Sequence, residues 1–402
     1  MASLQPSDDY RPSDEDYNQP SAERRVVLQR LQDFLGDVPV HFWALAHVCD
    51  VKTLEEFAEK AEADPVPYRI SIYQTPAMIA AWTQSLKGCS RTSSRTSSRM
   101  SSAQPSPQFR AQPPASSPLA DPDPSPSKKR KIDNFSGSSV QTSPGFRAQL
   151  PPSSPLEDPH PSPAKRRWFE NVSLNRSDSE KEKAAARDQN RCVLTGMGVT
   201  DVAHIYPFCL MKREDDTFGK RHLFWAMLEL FWPKEKVKAW EKEIFPNGTH
   251  ENGVESATNL ITLSKDTHSA WNKGNFALKP LSVSGNKTCL KVQFFWQTKC
   301  KQTWPLMSLL TTPASTKDLC RGDDNVQLPK ITGERKLDAI ETGDIFEIKT
   351  DDPQARPLPS FALLEMQWHL QRIAGMAGAA DVDEDLKEWD DDDISNLGLD
   401  ER

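Results

Sequence analysis

No stretch of this 402-residue sequence is long and apolar enough to span a membrane. The strongest candidate, Leu223–Trp232, falls well short of the roughly 20 residues a spanning helix needs, and it carries Glu229. The opening residues, MASLQPSDDYRPSDEDY, are polar and acidic and match neither a signal peptide nor a transit peptide. Seven cysteines (Cys49, Cys89, Cys192, Cys209, Cys289, Cys300 and Cys320) include no CxxC pair. That excludes a four-cysteine zinc module, and the odd, scattered count predicts reduced thiols inside a cell rather than a disulfide framework. Hydrophobic residues make up only 37%, against roughly 45–50% in globular domains counted with glycine. Prolines number 32 and the mean hydropathy is -0.65. Part of the chain is therefore expected to be disordered, with the apolar residues gathered elsewhere into two or three domains.

The net charge of -7 is unevenly spread. Residues 381–402 hold 11 acidic and 2 basic residues, which reads as a solvated acidic tail or, alternatively, as a mimic of nucleic acid. Cys89 to Trp168 holds 12 basic and 5 acidic residues. This tract, expected as a disordered linker over 88–168, is rich in serine and proline and contains a duplication with a period of 37 residues. FRAQPPASSPLADPDPSPSKKRK starts at Phe109 and FRAQLPPSSPLEDPHPSPAKRRW at Phe146. Neither copy can bury a core, so the duplication is of a linear motif and not of a structural repeat. Each copy ends in a basic cluster, Lys128, Lys129, Arg130 and Lys131 in the first and Lys165, Arg166 and Arg167 in the second. Basic clusters in exposed sequence are the type read by a nuclear import receptor, which predicts a nuclear location. Phosphates on the neighbouring Ser-Pro serines would mask them.

Before the linker, residues 1–23 read as a disordered N-terminus and 24–87 as a small helical region. Val27, Leu31, Phe34 and Leu35 fall at helical spacing. Thr53 and Glu56 have capping-box spacing, and Thr75-Pro76 reads as a helix start. After the linker, aromatic and apolar residues become dense, and a folded domain is expected over 170–375. Arg187–Phe208 reads as a strand, a turn at Gly196 and Gly198, and a second strand with His204 near its end. An apolar helix over Leu223–Trp232 and a second one opened by Pro233, with Val237, Trp240 and Ile244 on one face, form an insert. Asn259 then starts a short strand, His268 heads a helix, and Phe276–Leu278 reads as a closing strand. Further strands are expected at Leu290–Trp296 and Asp344–Ile348, and a helix over Phe361–Ala374 capped by Ser360 and stopped by Gly375.

Two histidines and an asparagine on a strand–loop–helix unit suit metal-assisted cleavage of a phosphodiester. A metal neutralises the phosphate oxygens that repel a nucleophile. A positioned histidine takes the proton from water. The run CVLTG, DVAHIYPF, NLITLSKDTHSAWNKGNFALKP resembles the HNH endonuclease family, in the branch found in many fungal proteins. The resemblance covers 187–280 and implies an α+β fold. That fold would be a ββα-metal core with a helical insert and a C-terminal extension, preceded by the small helical region and the linker. On that resemblance His204 is the general base, Asn259 the orienting residue, and His268 a ligand of one divalent metal, Mg²⁺ or Mn²⁺ in the first place and Zn²⁺ as an alternative. Two positions depart from the pattern. Ala203 stands where many members carry a metal ligand directly before the base, and Asn272 stands where Asp or His is frequent. Asp201 is a substitute ligand, although on a strand it points away from the His204 face.

The implied partner is DNA, with no membrane. Residues 187–280 carry 13 basic and 12 acidic residues, so the affinity for DNA must come from a local patch, of which Lys212, Arg213, Lys220 and Arg221 are candidates, or from the linker. The two functional expectations are a nuclear metal-dependent DNA endonuclease and a catalytically degenerate HNH-fold protein acting in DNA binding or protein assembly.

Overall fold

The computed structural model describes residues 11–93, 177–212, 220–299, 306–333 and 336–378. The duplicated motif with its two basic clusters and the acidic tail at 381–402 lie outside the described residues. In chain order the elements are α1 (Ala22–Leu35), β1 (Val38–Pro39), α2 (Val40–Val48), α3 (Val51–Ala63), α4 (Pro65–Ser93), α5 (Asp178–Arg187), β2 (Thr200–His204), α6 (Phe208–Met211), α7 (Lys220–Phe231), α8 (Lys234–Ile244), β3 (Leu260–Ser264), α9 (Lys265–Asn272), β4 (Phe276–Val283), β5 (Cys289–Trp296), β6 (Leu306–Met307), β7 (Pro329–Thr332), β8 (Lys336–Ala339), β9 (Ile345–Lys349) and α10 (Phe361–Met376). The fold is mixed helix and strand, as expected. Its centre is the antiparallel sheet β4-β5-β9, with α10 packed on β4, beside the separate antiparallel pair β2-β3.

The helices ahead of the linker are not a separate module. Leu31, Phe42, Phe57 and Trp82 belong to the same buried cluster as Phe231, Trp271, Phe294 and Leu370. Trp82 stacks on Phe224 with ring centroids 6.2 Å apart. α1 packs on α3, while α2 also meets α10, α3 meets α7 and α4 meets both, more than a hundred positions away, a pairing that local periodicity cannot reveal.

Several local expectations are corrected. Residues 11–23 are not all irregular. A 3₁₀ turn at Asp14–Tyr17 is tied down by Lys279 on Asp16 at 2.6 Å, by Arg24 on Glu15 at 3.1 Å, and by Arg372, which donates to Asn18 at 2.9 Å and to the Glu15 carbonyl. Burial pulls the Arg372 guanidinium down to about 10. α3 begins earlier than its supposed capping box, because Asp50 accepts from the Thr53 amide at 2.9 Å and so caps the helix itself.

Thr75-Pro76 does not start a helix either; both lie inside α4. Proline lacks the N–H that would reach the carbonyl four residues back. The Thr75 hydroxyl fills that role, donating to the Ile72 carbonyl at 2.7 Å. Residues 88–93, expected in the linker, continue α4. Residues around Cys192–Leu194 form a turn and not a strand, closed by the Gly196 amide on the Cys192 carbonyl.

Gly375 does not stop α10, which runs on to Met376. A Cβ there would lie 2.9 Å from the Gln297 Cβ and 3.2 Å from the Gly274 carbonyl, so the glycine permits close approach of helix to sheet. The apolar insert behaves as expected. Pro233 precedes α8, and Val237, Trp240 and Ile244 are buried on one face.

Candidate active site

Three elements build the site. β2 and β3 pair antiparallel, with Thr200 opposite Ser264 and His204 opposite Leu260. Ser264 ends the hairpin and caps α9, its hydroxyl accepting from the Thr267 amide. Strand, strand and helix therefore follow in the order that the sequence predicts. The long insert α6–α8 sits between the strands.

A buried arginine fixes the frame. Arg187 donates twice to Asp188, at 2.8 Å each, and to the carbonyls of Ala257 (3.0 Å), Leu260 (2.9 Å) and Pro357 (2.9 Å). Asp188 in turn accepts from the Thr262 amide at 3.0 Å. Neither side chain of this pair is exposed. From α5, Glu180 accepts from the Ala257 amide at 2.8 Å. Burial works against its charge, but Lys183 and the Ala257 N–H outweigh it and hold the carboxyl below its usual range. The turn Ala257–Asn259 and the start of β3 are thus gripped from two sides.

Asn259 ends that turn, buried, with its amide turned onto the chain that leaves β2. Its Oδ1 accepts from the Tyr206 amide at 2.7 Å, its Nδ2 donates to the Tyr206 carbonyl at 3.0 Å, and its own carbonyl accepts from the Ile205 amide at 2.9 Å. The side chain holds the loop that follows His204 and makes no hydrogen bond to the imidazole. His204 closes β2 with its ring 5.3 Å from the Phe208 ring. Its Nε2 lies 2.9 Å from Glu255 Oε1, and the two side chains are 7% and 6% exposed. Nε2 is engaged with the carboxyl group, and Nδ1 is the ring nitrogen outside this contact.

His268, on α9, has its Nδ1 3.4 Å from Asp201 Oδ2. These two side chains remain accessible, at 20% and 45%. The alternation of a strand puts Asp201 and Ala203 on one face and His204 on the other. The structure accordingly brings Asp201 to His268 and turns His204 toward Glu255. Asn272 lies one helical turn beyond His268, half-buried, and its side chain makes no hydrogen bond with a described residue. Among the described residues no group of three or more His, Cys, Asp and Glu side chains converges as a metal site. One carboxylate and one imidazole suit a divalent ion that completes its shell with water and phosphate oxygens.

The basic candidates divide. Lys212 sits with its Nζ 5.3 Å from the centre of the Phe208 ring, the ring that also faces His204. Arg213 lies outside the described residues, as does the side chain of Lys220. Arg221 is not a surface cation. It is buried, donates to the carbonyls of Met211 (3.2 Å) and Glu251 (3.1 Å), and lies over the Phe245 ring at 5.0 Å. Its guanidinium closes the insert on itself. Sequence reasoning also passed over Glu255 and the Arg187–Asp188 pair. Adjacent opposite charges at the entry to an apolar segment were the available signal for the pair. Nothing local marked Glu255.

Residues 192–279 match a family model described as HNH endonuclease. No curated protein and no solved structure matches the chain.

Proposed function

Residues 192–279 form an HNH endonuclease domain, and from that premise we propose that this chain is a metal-dependent endonuclease hydrolysing phosphodiester bonds of DNA in the nucleus. The observation that carries the reading is the placement of His204, Asn259 and His268 on one strand–strand–helix unit. Asp201 and His268 would hold a divalent ion, Mg²⁺ or Mn²⁺ with Zn²⁺ as the alternative, and Asn272 is the third donor within one helical turn. When bound, that ion neutralises charge on the phosphate and stabilises the leaving oxygen. His204 accepts the proton of the attacking water at Nδ1. Asn259 keeps the loop after β2 in place and with it the end of the strand that carries the base. Lys212, on the Phe208 ring beside His204, offers a cation to a backbone phosphate.

A second reading, a catalytically degenerate domain serving DNA binding or assembly, is favoured by Ala203. Its methyl is buried at the position where many members present a ligand, and it offers no donor. Nicking of supercoiled DNA by the full chain with and without divalent ions separates the two readings. The nuclear location rests on Lys128–Lys131 and Lys165–Arg167. Alanine at both clusters should leave a fluorescent fusion in the cytoplasm, and unchanged nuclear accumulation would refute this part of the proposal.

A further inference from the structure

We infer that Glu255 is a positioning residue for the base, holding His204 as the Nε2–H tautomer so that Nδ1 faces the reaction as the proton acceptor. The inference rests on the proposed role of His204.

The geometry begins in the insert. After α8 the chain returns to the site through two backbone bonds, from the Gly253 amide to the Met211 carbonyl and from the Val254 amide to the Ile244 carbonyl, each at 2.8 Å. Gly253 is needed for this approach. A Cβ there would lie 2.9 Å from Ile244 Cγ2 and 3.0 Å from Met211 Cβ. On the far side Ser256 opens the turn that ends at Asn259. Glu255 is therefore pinned between two fixed segments, and its side chain reaches His204 across 51 positions of sequence. The insert, which the sequence presents only as something to be folded out of the way, delivers a carboxylate to the imidazole.

The chemistry follows from the burial. Glu255 Oε1 meets Nε2 at 2.9 Å, while Oε2 is buried with no hydrogen-bond partner among the described residues. A carboxylate with one oxygen bare and its side chain 94% covered is costly unless a counter-charge is supplied. A proton arriving at Nδ1 turns the imidazole into an imidazolium and supplies that counter-charge. A carboxylate only accepts, so an imidazole held by one carries its hydrogen at Nε2 and the lone pair at Nδ1. A carboxylate that orients an imidazole base in this way fixes the tautomer and stabilises the cation formed, without itself taking the proton.

The test is ¹⁵N-labelling of histidine in the full chain, with His204 assigned by the resonance lost in His204→Gln. The wild type should show the Nε2–H tautomer at His204, and Glu255→Leu should mix the two tautomers. Glu255→Gln should lower kcat by roughly 10–10²-fold, part of the 10²–10⁴-fold a general base supplies, with KM for DNA unchanged. The wild-type spectrum decides even where a variant fails to fold. An Nδ1–H tautomer in an active wild type, or Glu255→Gln with wild-type kcat, overturns the positioning role while leaving the endonuclease reading in place. A wild type that cuts no DNA overturns both, whatever its tautomer.

Discussion

Arg187→Met removes the guanidinium that locks the site's frame, and the structure gives the size of the loss. Five hydrogen bonds go at once, two to Asp188 and three to the carbonyls of Ala257, Leu260 and Pro357. Asp188 is left fully covered, with the Thr262 amide as its one remaining side-chain partner among the described residues. Breaking a buried ion pair from one side costs about 3–5 kcal/mol, because the remaining charge has neither water nor a partner. Against a total stability of roughly 5–15 kcal/mol this is a large share. With an m-value of about 3 kcal/mol/M the urea midpoint should fall by roughly 1–2 M. Arg187→Met with Asp188→Leu should recover part of the loss, since neither member then leaves a buried charge behind. A single variant within about 1 kcal/mol of the wild type, measured by urea unfolding at pH 7, would refute the view that this pair clamps the frame.

Asn259→Ala should cost about 2–4 kcal/mol, because the Tyr206 amide and carbonyl both lose a buried partner. Urea unfolding checks this, and a loss under about 0.5 kcal/mol would contradict the loop-clamp role. His268→Ala should weaken Mn²⁺ binding in calorimetry, and Asn272→Asp should tighten it by adding a carboxylate for a hard cation; unchanged affinity in both would remove α9 from the metal site. His47 gives a pH dependence. Burial, against a Leu309 carbonyl 3.1 Å from its Nε2, takes this imidazole down to about 4. The unfolded chain takes up a proton near pH 6.5 while the folded chain does not. The stability from this residue is thus complete above about pH 6.5 and is lost as the pH falls toward 4, by about 3 kcal/mol. Urea midpoints between pH 7 and 4.5 should fall less steeply in His47→Gln than in the wild type, and parallel curves would exclude the effect.

What was legible in the sequence follows from the range of the interactions. The hairpin–helix unit was readable because its signals are local: the short apolar strand that Asn259 starts and the helix that His268 heads. The face of α8 and the Ser360 cap of α10 were readable for the same reason. The start of α4 was misjudged because Pro76 sits inside a helix, where the Thr75 hydroxyl replaces the missing donor. The union of the first four helices with the segment that matches the family model was invisible because it rests on contacts such as Trp82 on Phe224 and Lys279 on Asp16, far apart in sequence. Within the site, the residues carrying the resemblance were found and their supports were not. Glu255 lies 51 positions from His204, and Arg187 acts on carbonyls about 70 and 170 positions away. Arg221 was misassigned because a cation that satisfies buried carbonyls looks, in sequence, like one that awaits a phosphate.

The central claim is tested most directly by incubating supercoiled plasmid with the purified full chain and with His204→Ala, in chelator and then with Mg²⁺, Mn²⁺ or Zn²⁺. The account predicts nicking only with a divalent ion, and a loss of roughly 10²–10⁴-fold in rate for His204→Ala with metal binding retained. A folded wild-type chain that nicks with none of these ions, nor with Co²⁺ or Ni²⁺, would contradict it.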